Sequence, residues 1–552
     1  MSPPTSEGRA PATDRRDVAT PWVGAAVAAA VLAIHASVIL LVRGNGWDDG
    51  SITLAFARTF AESGRVAITP GSEEVEGFSS FAWFMLFAGA AKLGLSNFDV
   101  IIRAAQIAAA VCTASAALLF YAASRKYLAA PAAAVTATAL FAGAPFLNES
   151  MNGMEMSLLT LIVLGIVNLL SAEPKGGLLG LFVLAFVAST VRFEAVGFLV
   201  FSGTAVWLFT DRKREGIAIT GGGVCGFAVV SLLRAWQLGT LLPNTISAKR
   251  WPPYAEGGLR SHVVALAEPF LPLGLGALVV VVLLYRSRKH LAWARLSSVS
   301  IGAASVFAAA YFSIVVFFNA VIGQNWGYHG RMQLSAIPPV VLSVIAILHV
   351  ARARWSTLQI TTAAAGLLIG SMSVLQWGNI GIALAVPSRG VPAVTVTPDS
   401  YRLTGEAVDL IRAELGQNTI SFMTPDVGGS SLCCPRLQII DLGLLANSRL
   451  ATAGYANFDA YLAATRPDVI EVHGVWARVS GMYDSPTFVS GYVPVVVTGN
   501  WMWVRADLSD RLMSETSTAV DPATLRYRGR PIDEAFIGSR STVPIYLIPQ
   551  RE

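Results

Sequence analysis

Apolar runs of about 17 to 25 residues recur from Pro21 to about Trp377, and they restrict the fold more than any other feature of the sequence. A helix of that length crosses the hydrocarbon core of a bilayer, which is about 30 Å thick. Charged residues make up only 14% of the chain, whereas soluble domains contain about 25%. The sequence therefore predicts a multi-pass α-helical membrane protein.

Both ends of the chain differ from this apolar region. Residues 1–20 are polar and rich in Pro, Ser and Thr, as in a disordered tail, and no small-residue cleavage site follows the first apolar run. Residues 385–552 have ordinary polarity, and helix-like stretches alternate there with strand-like runs such as NTISFMTPDV and YVPVVVTG. We therefore predict a cytoplasmic tail at 1–20, a transmembrane domain at 21–384 and a soluble α/β domain at 385–552.

Clusters of basic residues indicate which connections face the cytoplasm, because short loops rich in Lys and Arg stay on that side. The clear clusters are 125–126, 212–214, 286–290 and 352–354. They fall on one side only if the segment 78–95 lies within a first external loop, 43–100, as an interfacial or re-entrant helix. The predicted spans, about eleven, then place the soluble domain outside the cytoplasm; they are 22–42, 101–122, 128–147, 155–171, 177–191, 195–209, 216–236, 263–284, 296–320, 332–349 and 357–377.

The external loop opens with two adjacent acids, Asp48 and Asp49, in the stretch GNGWDDGSITLAFARTFAESG. Apolar side chains follow at helical spacing, which predicts an amphipathic helix on the outer membrane surface. One interpretation is that the acids complement the positive end of this helix, an effect of about 0.3 to 2 kcal/mol. The other is that one of them is a general base beside the apolar wall of Trp47, which would raise its pKa. Residue types alone leave both interpretations open.

Further polar and ionisable residues occur in the external connections and at the ends of the adjoining spans; they are Glu155, Arg192, Glu194, Asn244, Lys249, Arg250, His329 and Arg331. Each of them alone has a structural explanation, such as an ion pair, a helix cap or a long side chain that reaches the interface. All of them lie on the same predicted face as the two aspartates. We therefore predict one outer pocket that contains both carboxylates and cations.

Such a pocket suits a reaction with a phosphate leaving group and a hydroxyl nucleophile. Cations stabilise the charge that develops on phosphate oxygens, and a carboxylate accepts the proton of the attacking hydroxyl. Nucleotide sugars are not expected outside the membrane, so an activated sugar would arrive on a lipid phosphate. The net charge of +5 lies in clusters between apolar runs, which indicates membrane topology and no nucleic acid partner.

The four cysteines add little to this prediction. Cys112 and Cys225 lie in apolar runs, where a buried thiol is the ordinary explanation. Cys433 and Cys434 are neighbours in the soluble domain, and a vicinal disulfide, a bond to a partner and two free thiols all remain open. No spacing resembles a zinc site.

Together these motifs resemble the GT-C superfamily of polyprenyl-phosphate-sugar-dependent glycosyltransferases, and within it the AftB-like arabinofuranosyltransferase branch. The membrane region carries the resemblance in WDDGSITLAFARTFAESGRVAITPGSEEVEGFSSFAW, NGMEMSL, VRFEAVGF, GTLLPNTISAKR and GYHGRMQLSAIPP, and the soluble domain carries it in TPDVGGSS, QIIDLGLLANSRLA and RPDVI. The resemblance covers nearly the whole chain after the tail. The combination is specific, although each short motif alone is weak.

The resemblance implies an inverting glycosyltransferase of a bacterial plasma membrane, with a polyprenyl-phosphate sugar donor and a cell-envelope glycan or glycolipid acceptor. It implies that Asp48 or Asp49 is the general base, with Asp48 as the first choice. It also implies a set of residues that bind the donor phosphate, namely Lys249, Arg192 and Arg331. The residues expected to shape the pocket are Glu155, Glu194, Asn244, His329, Trp47 and Glu76.

Some members of this family bind a divalent cation between loop carboxylates and the donor phosphate, so Mg²⁺ or Mn²⁺ stays open as a cofactor. Two other functions also remain open. A transporter or flippase of a lipid-linked glycan would use intramembrane charges as well, although no internal repeat of the kind common in transporters is visible. A glycan-binding membrane sensor would use the loop acids only structurally. Membrane lipids are expected partners in every case.

Overall fold

The structure is a computed structural model, and it describes residues 20–41, 46–172, 177–254, 300–322, 331, 333–351, 397–512, 518–520, 526–527, 530–531 and 545–548. The first part of the chain consists mainly of helices in the described ranges. Its helices are α1 Thr20–Leu41, α2 Asp48–Ser63, α3 Phe81–Lys92, α4 Phe98–Ser124, α5 Ala130–Phe141, α6 Ala144–Asn152, α7 Met156–Ser171, α8 Gly177–Val191, α9 Ala195–Phe209, α10 Lys213–Leu238, α11 Asn244–Ala248, α12 Ser300–Ile322 and α13 Ile337–Ala351.

Three helices in the described ranges are long and apolar enough to cross a membrane, namely α1, α4 and α10. The pair α5 and α6 passes the same test together, but it bends by 53° at its break. The shorter apolar helices α7, α8 and α9 match the predicted spans closely, and α12 and α13 overlap their predicted spans. Predicted spans 263–284 and 357–377 lie outside the described residues.

Helix α3 lies in the segment 78–95, which the charge pattern predicts to be an interfacial or re-entrant helix and not a membrane span. Its N-cap is Ser80, whose hydroxyl accepts the backbone N–H of Trp83. It contains 12 residues and so rises about 18 Å, which is less than the hydrocarbon core. Its length agrees with an interfacial or re-entrant helix, and its depth in the membrane stays a prediction.

Helix α2 corrects one prediction about the external loop. We expected an amphipathic helix on the membrane surface, but residues 50–59 of α2 are buried. Helix α3 packs against α2 on one side, and helices of the C-terminal domain pack on another. Even the guanidinium-bearing Arg58 is only 5% exposed. The surface placement was wrong because the polar side of α2 is covered by protein rather than by water.

The C-terminal part is an α/β domain, as predicted. Its helices are α14 Pro398–Glu414, α15 Gly428–Cys433, α16 Ser448–Ala453, α17 Phe458–Thr465, α18 Gly474–Ser480, α19 Pro486–Gly491 and α20 Ala506–Leu512, with a 3-10 turn at Met482–Asp484. Its strands are β1 Ile420–Thr424, β2 Leu437–Asp441, β3 Val469–Ile470, β4 Tyr492–Val497, β5 Asn500–Arg505, β6 Thr518–Val520, β7 Arg526–Tyr527, β8 Arg530–Pro531 and β9 Ile545–Ile548.

The main sheet has the strand order β2-β1-β3-β5-β4-β9-β6. Strands β2, β1 and β3 are parallel, with Phe422 opposite Val469 and Ile439. Strand β5 joins this half antiparallel to β3. The chain leaves β1 for β2 on one side and returns to β3 on the other. The C-terminal ends of β1 and β3 therefore flank a crevice of the kind in which open α/β sheets bind ligands.

Two hydrophobic cores attach this domain to the helical part. One contains Phe56 of α2 and Trp83 of α3 together with Ile411 of α14 and Phe422 of β1. The other joins Ala248, at the end of α11, to β-sheet residues. The membrane-length helices and the C-terminal mixed sheet confirm the predicted fold class.

Cys433 and Cys434 form a vicinal disulfide at the end of α15. Of the three alternatives that the sequence left open, the structure supports this one. The disulfide is part of the same core that joins α2 to the C-terminal domain, since Cys434 is buried and Cys433 packs against that core.

Candidate active site

A pocket lies where the external loop, the ends of the apolar helices and the C-terminal domain meet. It has a volume of about 110 Å³. Six of the residues singled out from the sequence line it, namely Asp48, Asp49, Glu155, Arg192, Lys249 and Arg331. The predicted convergence of acids and cations therefore occurs in the structure. Their catalytic and binding roles remain predictions.

Asp48 is almost fully buried, and its carboxylate is committed to the C-terminal domain. Its Oδ2 accepts the backbone N–H of Gly428 at 2.7 Å, and its Oδ1 accepts that of Gly429 at 2.6 Å. Burial, together with the negative charges of Asp426 and Asp49, raises the pKa of Asp48 well above its usual value, although the two N–H groups oppose this shift. Asp48 thus complements the first turn of α15, not the start of its own helix.

Gly428 is required for this contact. A Cβ atom at Gly428 would collide with the backbone oxygen of Asp48 and with the hydroxyl of Ser51. At the other end of α15, Arg58 donates one N–H to the Leu432 oxygen and another to the Ser431 oxygen, the latter at 2.9 Å. Helix α2 therefore supplies hydrogen-bond acceptors to the N-terminal end of α15 and hydrogen-bond donors to its C-terminal end.

Asp49 lies one residue further into α2 and is half-buried, and it too lines the pocket. Its charge acts on Lys249 and on Tyr254, which shows that both lie nearby. Asp49 is therefore placed where a carboxylate can meet a ligand beside a cation. Of the two adjacent acids, Asp49 has the position that fits the chemistry of a general base better.

A buried ion network forms the membrane side of the pocket. Arg192 donates to Oε1 of Glu155 at 2.7 Å and, from Nε, to Oε1 of Glu194 at 2.9 Å. Arg331 donates to the same Glu155 oxygen at 2.8 Å and lies 3.5 Å from Glu149. Glu155 therefore bridges the two arginines, which keeps both guanidinium groups at the pocket wall.

Lys249 follows α11 and is half-buried in the same pocket. Burial and the positive charge of Arg192 lower its pKa to about 8, against the opposing charge of Glu194. Within the part of the chain that the structure describes, its Nζ forms no hydrogen bond or ion pair. A cation in this state is suited to an incoming anion.

The remaining predicted residues support the pocket from behind or fall outside the description. Glu194 holds Arg192, and the Trp47 backbone N–H donates to Asn152 at 3.1 Å. The Asn244 amide donates to the oxygens of Leu444 and Leu445 in the C-terminal domain at 2.9 and 2.7 Å. His329 lies outside the described residues.

Glu76 forms a buried ion pair with Arg234 near the end of α10, with one N–O distance of 2.9 Å. Its backbone oxygen accepts the N–H of Asn244 at 3.2 Å. Glu76 thus joins the external loop to the connection that carries Lys249.

Four residues of the site were missed or given no catalytic significance in the sequence. Glu149 was overlooked because an acid in the stretch APFLNESMN resembles an ordinary loop residue; it accepts the Met156 N–H at 2.8 Å and faces Arg331. Tyr254, Asp426 and Trp476 line the pocket from two different parts of the chain. Only the folded structure brings Tyr254 and Asp426 together with Trp476, whose residue type alone fits either a ring that stacks on a sugar or a buried aromatic anchor.

An apolar groove of about 200 Å³ runs beside the pocket. Aromatic side chains of the external loop form one side, and the last turns of α10 form the other, including Leu233. Phe78 lines both the groove and the polar pocket. The two cavities are therefore neighbours that share this side chain.

The described residues include no group of three or more His, Cys, Asp or Glu side chains that could hold a metal ion. The described pocket thus offers no ligand set to support the Mg²⁺ or Mn²⁺ that the resemblance left open, and the cation stays a prediction. The three cations at the pocket wall, Arg192, Lys249 and Arg331, can stabilise an anionic ligand themselves.

No protein-family model and no curated protein matches this chain. Solved structures with a similar arrangement include ArnT from Cupriavidus metallidurans in the apo state, with a TM-score of 0.49, 16% identity, and coverage of 83% of this chain and 97% of that chain. The same protein bound to undecaprenyl phosphate gives a TM-score of 0.44 at 15% identity, with coverage of 81% and 80%.

The archaeal oligosaccharyltransferase AglB from Archaeoglobus fulgidus, in complex with an inhibitory peptide and a dolichol-phosphate, gives a TM-score of 0.48 at 13% identity, with coverage of 92% of this chain and 76% of that chain. These similarities are too low to assign the chain to a family.

Proposed function

We propose that this protein is an inverting glycosyltransferase that moves a sugar from a polyprenyl-phosphate donor to a glycan or glycolipid acceptor at the outer face of the membrane. The observation that carries the proposal is Lys249. It is a half-buried cation whose Nζ forms no hydrogen bond or ion pair with the described residues, in a pocket that also holds Asp49 and two buried arginines.

The cations suit a phosphate leaving group. In the proposed reaction the bond between the anomeric carbon and the phosphate oxygen breaks, and the negative charge on the leaving phosphate rises. Lys249 supplies a positive charge to those oxygens, and Arg192 and Arg331 add to the local positive potential. The arginines are partly neutralised by Glu155. Lys249 therefore contributes most to stabilising the transition state, with its growing phosphate charge, relative to the bound donor.

Asp49 is proposed as the general base. Its carboxylate accepts the proton of an acceptor hydroxyl as that oxygen bonds to the anomeric carbon from the face opposite the phosphate. One bond forms, one breaks, and the proton passes to Asp49, so the anomeric configuration inverts. Asp48 is not assigned this role, because both of its carboxylate oxygens already accept N–H groups.

The apolar groove supports an amphiphilic donor. A polyprenyl-phosphate sugar has an anionic head and a long apolar tail, and the pocket and the groove offer one environment for each. Exposed apolar side chains on α10 near the groove, including Leu233 at 42% and Trp236 at 84% exposure, fit contact with lipid.

The test uses the full-length protein in detergent or nanodiscs, a synthetic polyprenyl-phosphate sugar and a panel of saccharide acceptors. We expect transfer with inverted anomeric configuration, read by NMR of the product. Asp49→Asn should lower kcat by about 10²- to 10⁴-fold, which is the usual contribution of a general base. Lys249→Met should raise the donor KM.

Asp99→Asn is the matched control, because Asp99 is a mostly exposed acid of the same region, with 64% side-chain exposure. Its activity should equal that of the wild type. Product with retained configuration, or full activity in Asp49→Asn, would contradict the proposal. Movement of lipid-linked glycan across the bilayer without transfer would favour a flippase instead.

A further inference from the structure

The C-terminal domain also contributes a carboxylate to the pocket. Asp426 follows strand β1, and His473 follows the parallel neighbouring strand β3, so both emerge from the crevice at the C-terminal ends of these strands. Asp426 lines the pocket. Its charge is among the causes that shift the titration of Asp48, which shows that it lies near the external loop.

Two side chains of the C-terminal domain contact Asp426 directly. His473 Nε2 lies 3.0 Å from Oδ2 of Asp426, and the Tyr401 hydroxyl donates to the same oxygen at 2.5 Å. His473 in turn places Nδ1 2.8 Å from Oε1 of Glu471. The other oxygen of that glutamate, Oε2, accepts the Thr424 hydroxyl at 2.9 Å.

This arrangement leaves one oxygen of Asp426 available to a ligand. Both observed contacts use Oδ2, and no described residue donates a hydrogen bond to Oδ1. Although burial opposes it, the charges of Glu471 and Asp426 raise the pKa of His473 to about 10. A carboxylate oxygen accepts hydrogen bonds, so Oδ1 of Asp426 can accept one from a ligand hydroxyl.

An aromatic wall lies beside this acceptor. Tyr254 and Trp476 line the same pocket, and their rings meet edge to face with centroids 5.6 Å apart. Carboxylate oxygens that accept from hydroxyl groups, next to an aromatic surface that packs against C–H groups, match the two faces of a sugar ring. The membrane side of the pocket is lined by cations, whereas this side holds an anion and aromatic rings.

We propose that Asp426 is a specificity-determining residue that binds hydroxyl groups of the acceptor saccharide, with Trp476 and Tyr254 as the wall against which its ring packs. This proposal rests on the proposed function, because it takes the pocket to be the active site of a glycosyltransferase. It gives the C-terminal domain a direct part in substrate recognition. Asp426 and Asp49 then act on the same substrate from two separately encoded parts of the chain.

The first experiment measures equilibrium binding of neutral pentose and hexose oligosaccharides to the full-length protein, without donor. We expect at least one of them to bind, and Asp426→Asn to raise its Kd about tenfold or more, because a hydrogen bond to a charged acceptor is lost. Tyr401→Phe should raise it less, since one support of Asp426 is removed while the carboxylate remains. Asp409→Asn, an acid of the same domain that pairs with Arg412 on its own helix, should leave it unchanged.

The second experiment measures transfer. Asp426→Asn should raise the acceptor KM by a similar factor and leave the donor KM unchanged. If saccharide binding depends on Asp426 but no sugar is transferred, this inference stands and the proposed function fails. Absence of saccharide binding to the wild type, an unchanged Kd in Asp426→Asn, or an equal rise of both KM values would overturn the inference.

Discussion

Lys249 carries a charge that depends on pH near neutrality, because its pKa is lowered to about 8. An anionic donor binds the protonated form, so donor affinity should approach its maximum about one pH unit below this pKa. Above it, affinity should fall by up to tenfold per pH unit as the proton is lost. Measurement of the donor KM from about pH 6.5 to about pH 9.5, a range that brackets this pKa, checks the expectation.

Lys249→Arg is the informative variant for that profile. An arginine stays charged throughout this range, so the fall of affinity above pH 8 should disappear even if the neutral-pH affinity changes. If the donor KM of the wild type stays constant up to about pH 9.5, Lys249 does not pair with the donor.

The titration of His473 predicts how the stability of the folded protein depends on pH. Its pKa is raised to about 10 by the charges of Glu471 and Asp426, against the effect of burial. The folded protein therefore holds this proton more tightly than the unfolded chain does. The resulting stabilisation is complete below about pH 6.5, the ordinary pKa of histidine, and is lost as pH rises towards 10.

Thermal unfolding at several pH values measures this effect. The informative range runs from about pH 7 to about pH 10, between the ordinary pKa of histidine and that of His473 in the folded protein. Over this range the wild type should lose more stability than His473→Gln, because glutamine cannot take up the proton. The groups that face His473 are Glu471, Asp426 and Tyr401. Equal losses in both proteins would mean that His473 is neutral in the folded state.

Helix α15 has only 6 residues, and we predict that its contacts with α2 stabilise the attachment of the C-terminal domain. Arg58→Met removes the donors to the carbonyl oxygens of Ser431 and Leu432, which lie in a buried region. Each buried acceptor left without a donor costs about 1 to 3 kcal/mol. We expect lower thermal stability and faster proteolysis between the helical part and the C-terminal domain.

Gly428→Ala should have the same effect for a different reason, because its new methyl group meets Asp48. Arg65→Met is the control, since Arg65 lies in the same loop but is 41% exposed and pairs with Glu74 at the surface. A loss of stability in the control as large as in Arg58→Met would rule out a specific role of the α15 contact.

The elements differ in how far the sequence predicts them. The apolar runs and the turn around Arg192 predict the end of α8 and both ends of α9 to the residue, because these boundaries are local. The burial of α2 was not predictable, because the protein that covers its polar side, including Ser431 and Leu432, lies more than 370 positions away. A periodic pattern records which side of a helix is apolar, but not whether water or protein meets the other side.

At the scale of the whole molecule, the adjacent polar pocket and apolar groove predict a dependence on the length of the donor lipid. Donors with long polyprenyl chains should have lower KM values than short-chain analogues. Leu233→Lys places a charge in the groove and should raise the KM of long-chain donors while leaving that of short-chain donors nearly unchanged.

Leu232→Lys is the matched control for this experiment. Leu232 is the adjacent residue on α10 and is 65% exposed, but it does not line the groove. Equal effects of the two substitutions, or no dependence of KM on chain length, would show that the groove does not hold the lipid.

The whole site was predictable only as a set of residues on one side of the membrane. The positive-inside rule placed Asp49, Lys249 and Arg331 on a common face, and the structure brings them to one pocket. The division of roles between Asp48 and Asp49 was not predictable, because it depends on N–H groups of a distant helix. The contribution of Asp426 depends likewise on a strand order that no local motif encodes.

The contacts of Asp48 with Gly428 and Gly429 join positions 380 and 381 residues apart in the chain. A ribosome must therefore synthesise most of the protein before the external loop can meet its partner. Until then the wall that carries Asp426 is missing, and a growing polypeptide has acids and cations but no finished cleft between them. Under the proposed function, unfinished copies would be unable to transfer sugar from a lipid-linked donor, and activity would begin only when biogenesis of the last domain is complete.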